Sequence, residues 1–198
     1  MVQMKEGLKI FSGKCESGYP GGYPVGYLSW CQKNGWWGDK RIHLCAGAVV
    51  DIDSDKVDVQ RICKPGDWTG HRGTAMSAEG TYQTSANIIG DGRDTKLAPE
   101  QYDAVFIDPP YSKDLARRLY DTEESYSGVD AFVKEAYRLV KPGGLIITFC
   151  YEIPRIYADL EIIARFGCYQ IPPVRNMTSH FVFRKPGVLD AQGLERFI

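Results

Sequence analysis

Asp108, Pro109, Pro110 and Tyr111 stand at the end of a short apolar run, AVFI at residues 104–107. Prolines carry no amide hydrogen and hold φ fixed, so this turn presents carbonyl oxygens in a stiff frame. The Asp108 carboxylate adds a further acceptor to a corner with few donors. Such a corner suits a group with two hydrogens to give, for instance the exocyclic amine of a nucleic-acid base. Tyr111 supplies a flat face on which a base can stack, worth about 1–3 kcal/mol. An amine held in this way has its lone pair available for attack on an electrophilic carbon. The plainer alternative is a helix cap, with Asp108 as N-cap and a proline at the first helical position. The helix-like SKDLARRLY that follows, residues 112–120, suits that role. Capping accounts for Asp108 and one proline, and leaves the second proline and the aromatic without a purpose.

A strand must place this turn, and residues 102–107, YDAVFI, read as a buried one. Upstream, residues 18–26 form a loop punctuated by glycine and proline, and residues 27–37 a short helix ending near Gly35. Residues 41–45, RIHLC, read as a strand broken by Ala46 and Gly47. At least one further strand falls within residues 48–63, where β-branched residues alternate with aspartates. Residues 64–84 lose all periodicity and read as a long surface loop or lid. Order returns at residues 86–90. Residues 129–140 carry apolar side chains at helical spacing and stop at Pro142-Gly143-Gly144, before the apolar strand 145–150. Residues 156–166 are expected to form another helix closed by Gly167, followed by two strands around a turn. The alternation argues for the α/β class: a mostly parallel sheet covered on both faces, with a C-terminal antiparallel hairpin.

The 198 residues are expected to form one domain, 1–198, able to bury a core without staples. Lys and Arg number 24 against 25 Asp and Glu, a net charge of −1. A nonspecific nucleic-acid binder carries a large positive excess, so a nucleic-acid partner here must meet a local basic patch. The six cysteines are scattered without a C-x-x-C pair, which argues against a zinc site and for reduced core thiols. No apolar run is long enough to span a bilayer, and a cytoplasmic protein is the expectation.

With these motifs in place, the chain resembles the S-adenosylmethionine-dependent amino-methyltransferases. Their D/N/S-P-P-Y/F/W motif follows the fourth strand, and DPPY is frequent in DNA adenine-specific enzymes. The resemblance extends over most of the chain. GYPGGY at residues 18–23 is similar to the family's N-terminal loop against the methionine moiety. HLCAG at 43–47 is similar to a reduced cofactor loop, and VKPGGLIITF at 140–149 to the turn and strand ending the core. It implies a Rossmann-like methyltransferase fold, S-adenosyl-L-methionine as cofactor, and transfer to N6 of adenine in DNA. An RNA guanine-amine enzyme and a catalytically silent relative are the alternatives. The implied catalytic residues are Asp108, Pro109, Pro110 and Tyr111. Those implied at the cofactor are Tyr19, Gly21, Gly22, Cys45, Gly47, Asp58 and Asp91, with no metal. The family's ribose carboxylate ends its second strand after a crossover helix, for which the interval here has no room. Asp51, Asp53 and Asp58 are the choices, with Asp58 preferred.

A base inside a duplex cannot reach such a corner, so it must be flipped out or met unpaired. Lys113, Arg117, Arg118, Arg175, Arg184 and Lys185 are the expected phosphate contacts, with DNA placed ahead of RNA. Trp68, His71 and Arg72 make the 64–84 segment the expected target-reading loop. The acidic residues 121–128 are expected to line the pocket. No separate recognition domain fits in the chain, and its oligomeric state is left open.

Overall fold

The computed structural model describes residues 4–12, 16, 22–59, 62–63, 82–110, 112–113, 116, 128–155, 159–170 and 177–187. In chain order the elements are β1 Lys5–Phe11, α1 Tyr27–Lys33, β2 Arg41–Leu44, β3 Asp55–Asp58, β4 Ile62–Cys63 and β5 Tyr82–Gln83. They continue with β6 Ile88–Ile89, β7 Tyr102–Ile107, α2 Val129–Leu139, β8 Val140–Cys150, β9 Glu161–Gln170 and β10 Met177–Arg184.

Eight of these strands form one mixed sheet in the order β1-β9-β10-β8-β7-β2-β3-β6. The neighbours β1/β9, β8/β7, β7/β2, β2/β3 and β3/β6 pair in parallel, and β10 runs antiparallel to both β8 and β9. The centre is buried on both faces because β7 and β8 alternate apolar side chains to each side. Ala104, Phe106, Ile147 and Phe149 meet Tyr23, Tyr27, Leu28 and Cys31 around α1. Val105, Ile107 and Ile146 meet Val129, Phe132, Val133, Ala136 and Leu139, the apolar stripe of α2. The helices thus clamp the sheet from opposite sides. Among the described residues no helix is long and apolar enough to cross a membrane.

Three elements depart from expectation. Residues 161–170 are the strand β9, where a helix over 156–166 was expected; residues 156–158 lie outside the described set. Ile162, Ile163 and Phe166 fit either period over so short a run, and pairing with β1 on one side and β10 on the other decides it. β8 begins at Val140, directly after α2, so Pro142, Gly143 and Gly144 lie inside the strand. They form a bulge: Tyr102 pairs with Val140 and Ala104 with Leu145, so residues 141–144 face Asp103 alone. The expected loop over 64–84 is shorter, since Tyr82–Gln83 pairs antiparallel with Ile62–Cys63. Most of that segment, with Trp68, His71 and Arg72, lies outside the described residues.

Candidate active site

In a sheet of this kind, ligands gather beyond the carboxyl ends of the parallel strands. The register fixes what stands there. Leu44 pairs with Ile107, so Cys45 and Asp108 are the next residues out, side by side. The Asp108 amide points at the Leu44 carbonyl at 3.5 Å. Asp58 ends β3 opposite Ile89, and the chain beyond β6 reaches Asp91 two residues later. Cys150 and Tyr151 close the same edge from β8.

The loop after β2 is tightly set. Cys45 takes φ +60° and Gly47 φ +47°, both left-handed, so the chain doubles back at once. Glycine adopts this freely, whereas Cys45 is strained in it. The Gly47 amide donates to Asp58 Oδ2 at 2.8 Å, and its carbonyl accepts the Ser85 amide at 2.7 Å. Residues 45–54 therefore return to β3 without a helix. Asp91 is held by Arg93, whose Nε lies 2.8 Å from Oδ1 and 3.0 Å from Oδ2, and this fork keeps the carboxyl below its ordinary range. Between them, Gly92 passes so close to Phe132 that a Cβ would lie 3.1 Å from its ring.

Electrostatics tie these groups into one site. The Cys45 thiol is pushed well up, first by burial and then by Asp58, Asp108 and Asp91, with Arg93 opposing. The charges of three carboxylates thus act on one side chain. Asp108 also bears on Tyr23 and Tyr151, whose phenols are raised by burial and then by its charge. It bears on Cys150 as well, raised to about 12 by burial, opposed by the Ser179 hydrogen bond and reinforced by Asp108. Pro109 is buried and Pro110 half-buried.

The chain has a known fold. One solved structure, of a protein described by the conversion of a disulfide bond into a thioacetal group during echinomycin biosynthesis, shares it. The match takes in 92% of this chain and 90% of that one, at TM-score 0.50 and 12% identity. A second solved structure, TrmN from Thermus thermophilus, matches 80% of this chain at TM-score 0.49 and 14% identity, and the chain spans 47% of its length. No family model and no curated protein sequence matches the chain.

On that fold the carboxyl edge brings together Asp108, Pro109, Pro110, Cys45, Gly47, Asp58 and Asp91. Gly22 enters the described chain one residue before Tyr23, while Tyr19, Gly21 and Tyr111 lie outside the described residues. Of the three ribose choices, only Asp58 stands at this edge. Asp51 is buried and clamped by Arg41, Nε to Oδ2 at 2.7 Å and Nη2 to Oδ1 at 2.6 Å. Asp53 is exposed in a groove with Asp39, Lys40 and Asp55, at the start of β3, the opposite edge. Two expected phosphate contacts are also misplaced. Arg184 and Lys185 pair with the start of β8, because β10 runs backwards. Lys185 is buried there, its ammonium donating to Glu100 and to the carbonyls of Tyr137 and Val140. Lys113 is exposed; Arg117, Arg118, Arg175 and residues 121–127 lie outside the described set.

Sequence reasoning passed over Tyr23, His43, Asp51 and Arg41 as a group. One signal was present. The central strand RIHL carries two polar side chains on one face, and a buried polar group needs a partner.

Proposed function

We propose that this chain is an S-adenosylmethionine-dependent methyltransferase of Rossmann-like fold acting on the exocyclic amine of a nucleic-acid base, N6 of adenine in DNA. One observation carries the reading: Asp108 and its two prolines stand at the strand edge beside Cys45, and the same edge holds Asp58 at the end of β3 and Asp91 just beyond β6. The residues present fit that cofactor. Asp58 ends β3, where a carboxylate can accept from ribose hydroxyls. Gly47 and its fixed peptide allow close backbone approach. Asp58 and Asp108, with Asp91 already paired to Arg93, make a negative region suited to a sulfonium and an ammonium.

When bound, the cofactor supplies a methyl carbon already activated by its sulfonium. The chain's own residues do the rest. Asp108 accepts one hydrogen of the amine and turns its lone pair outward. As positive charge develops on that nitrogen, the carboxylate offsets it and accepts the proton that leaves. Pro109 and Pro110 add no competing donor. Tyr111, by the sequence reading, stacks on the base. The 64–81 segment and Lys113 are proposed to meet the strand from which the base is turned out.

Calorimetry with S-adenosylmethionine and tritiated methyl transfer to DNA and to RNA test this. Binding with transfer to DNA is the expected result. Transfer to RNA alone moves the substrate, absence of cofactor binding makes the chain a silent relative, and binding without transfer to either nucleic acid removes the base as its substrate. Asp108→Ala should bind cofactor as the wild type does while transfer falls by about 10²-fold or more, the usual cost of removing an aligned group at a developing charge. Full transfer by Asp108→Ala would remove the proposed role.

A further inference from the structure

Behind the Asp108 corner runs a buried chain of hydrogen bonds that the proposed reaction leaves unused. Asp51 is ionised, held by the Arg41 fork, so it can only accept. His43, fully buried, has Nε2 at 3.0 Å from Asp51 Oδ2, and this nitrogen must therefore carry the hydrogen. Burial keeps the imidazole neutral, so Nδ1 is bare and accepts. The Tyr23 hydroxyl lies 3.4 Å from it and has no other proton to give. The ring of His43 stacks on Phe106 at 4.7 Å, two residues before Asp108, and Tyr23 packs edge-on against the same ring. Asp108 is the foremost charge felt by the Tyr23 phenol.

Both dipoles in this chain therefore point the same way. Nε2–H donates to Asp51 and the Tyr23 hydroxyl donates to Nδ1, so each hydrogen lies on the Asp51 side of its link and the phenol oxygen is left as the outer, negative end of the chain. Aligned hydrogen bonds polarise one another, and oriented dipoles in a dry interior stabilise charge that develops at their negative end. Resting on the amine-transfer reading, we propose that His43 is a positioning residue for the amine site. It draws the hydroxyl hydrogen of Tyr23 away from Asp108, so that the phenol oxygen reinforces the acceptor field in which the amine nitrogen becomes positive.

Three variants and one spectrum test this. Tyr23→Phe and His43→Phe should each lower kcat about tenfold, one unit of log rate, with KM for cofactor and nucleic acid unchanged. His43→Gln should retain the rate within about threefold, because its amide can donate to Asp51 and its carbonyl accept from Tyr23. The double variant should be no slower than either single one, because both break the same link. Independent losses that multiply, or a folded His43→Phe at full rate, would overturn the proposal. Nitrogen NMR of the wild-type protein should show His43 protonated at Nε2 and bare at Nδ1, with Nδ1 shifted in Tyr23→Phe. A hydrogen on Nδ1 defeats the proposal whatever the activity, and holds even if His43→Phe fails to fold. Should the wild type transfer no methyl group while the spectrum is as expected, the methyl-transfer reading fails and the dipole chain stands.

Discussion

Asp58 has two tasks that one carboxylate can share. Its Oδ2 accepts the Gly47 amide and so shapes the loop after β2, while its position at the end of β3 faces the proposed ribose. Asp58→Asn keeps an oxygen for that amide and loses the charge. Charge-assisted hydrogen bonds exceed neutral ones by about 1 kcal/mol, so calorimetry should show cofactor affinity reduced about five- to tenfold. Thermal unfolding should move little. A Kd equal to that of the wild type would place the ribose elsewhere. Asp51→Asn differs in kind. Asp51 lies under the protein face, and although burial opposes it, His43 and Arg41 hold its carboxyl below the usual range. Asp51→Asn should therefore leave Arg41 with a weaker partner and destabilise the fold, with cofactor binding following only as the fold is lost.

At the scale of elements, the bulge that opens β8 sets where its carboxyl end falls. Residues 141–144 are taken up opposite Asp103, and Leu145 then registers with Ala104. The strand reaches the site in step with β7, so Cys150 and Tyr151 flank Asp108. The bulge depends on glycine twice. Gly143 takes φ +79°, and Gly144 runs so close to its neighbours that a Cβ would lie 2.9 Å from the Asp103 carbonyl oxygen and 2.7 Å from Val140. Gly144→Ala forces the backbone of two strands apart and should cost about 1–3 kcal/mol in denaturant unfolding, within the range for overpacking. A variant as stable as the wild type would show that the bulge tolerates a side chain. Helix α2 meets the same strands on the other face, and its Glu135 takes both the amide and the hydroxyl of Thr95, fixing the chain between β6 and β7.

For the whole molecule, two buried histidines set the response to acid. His43 and His180 are both held neutral by burial, His180 down to about 3. Both therefore bind their protons less readily folded than unfolded. Below the unfolded value of 6.5 the unfolded chain takes up protons that the folded chain refuses, so stability falls as pH drops towards about 3. The slope is about 1.4 kcal/mol per pH unit for each histidine while it remains neutral in the fold. Asp51 adds to the loss beneath 3.8, where an unfolded aspartate gains a proton that the folded one resists. His180→Phe should flatten the slope by about one proton's worth. It also removes the Nδ1 partner of the Tyr27 hydroxyl at 2.9 Å, which costs stability near neutral pH, so the slope and not the absolute stability is the measurement that counts. An unchanged slope would mean that His180 titrates alike in both states.

Local chemistry in the sequence was enough to place the strand 102–107, the helix after Gly128 and Asp108 at the carboxyl end of that strand, because each has a strong period or an unusual run of prolines. The preference for Asp58 rested on reach, since too few residues separate β2 from β3 for a helix. Three things came only from the tertiary structure. Strand β1, exposed along most of its length, has little apolar pattern to betray it and exists through its pairing with β9. Strand β9 overrides a helix-like spacing for the same reason. The link from Arg41 through Asp51 and His43 to Tyr23 joins residues from three separate segments, and a partner for a buried polar group is chosen by where the chain folds back, which no local pattern records.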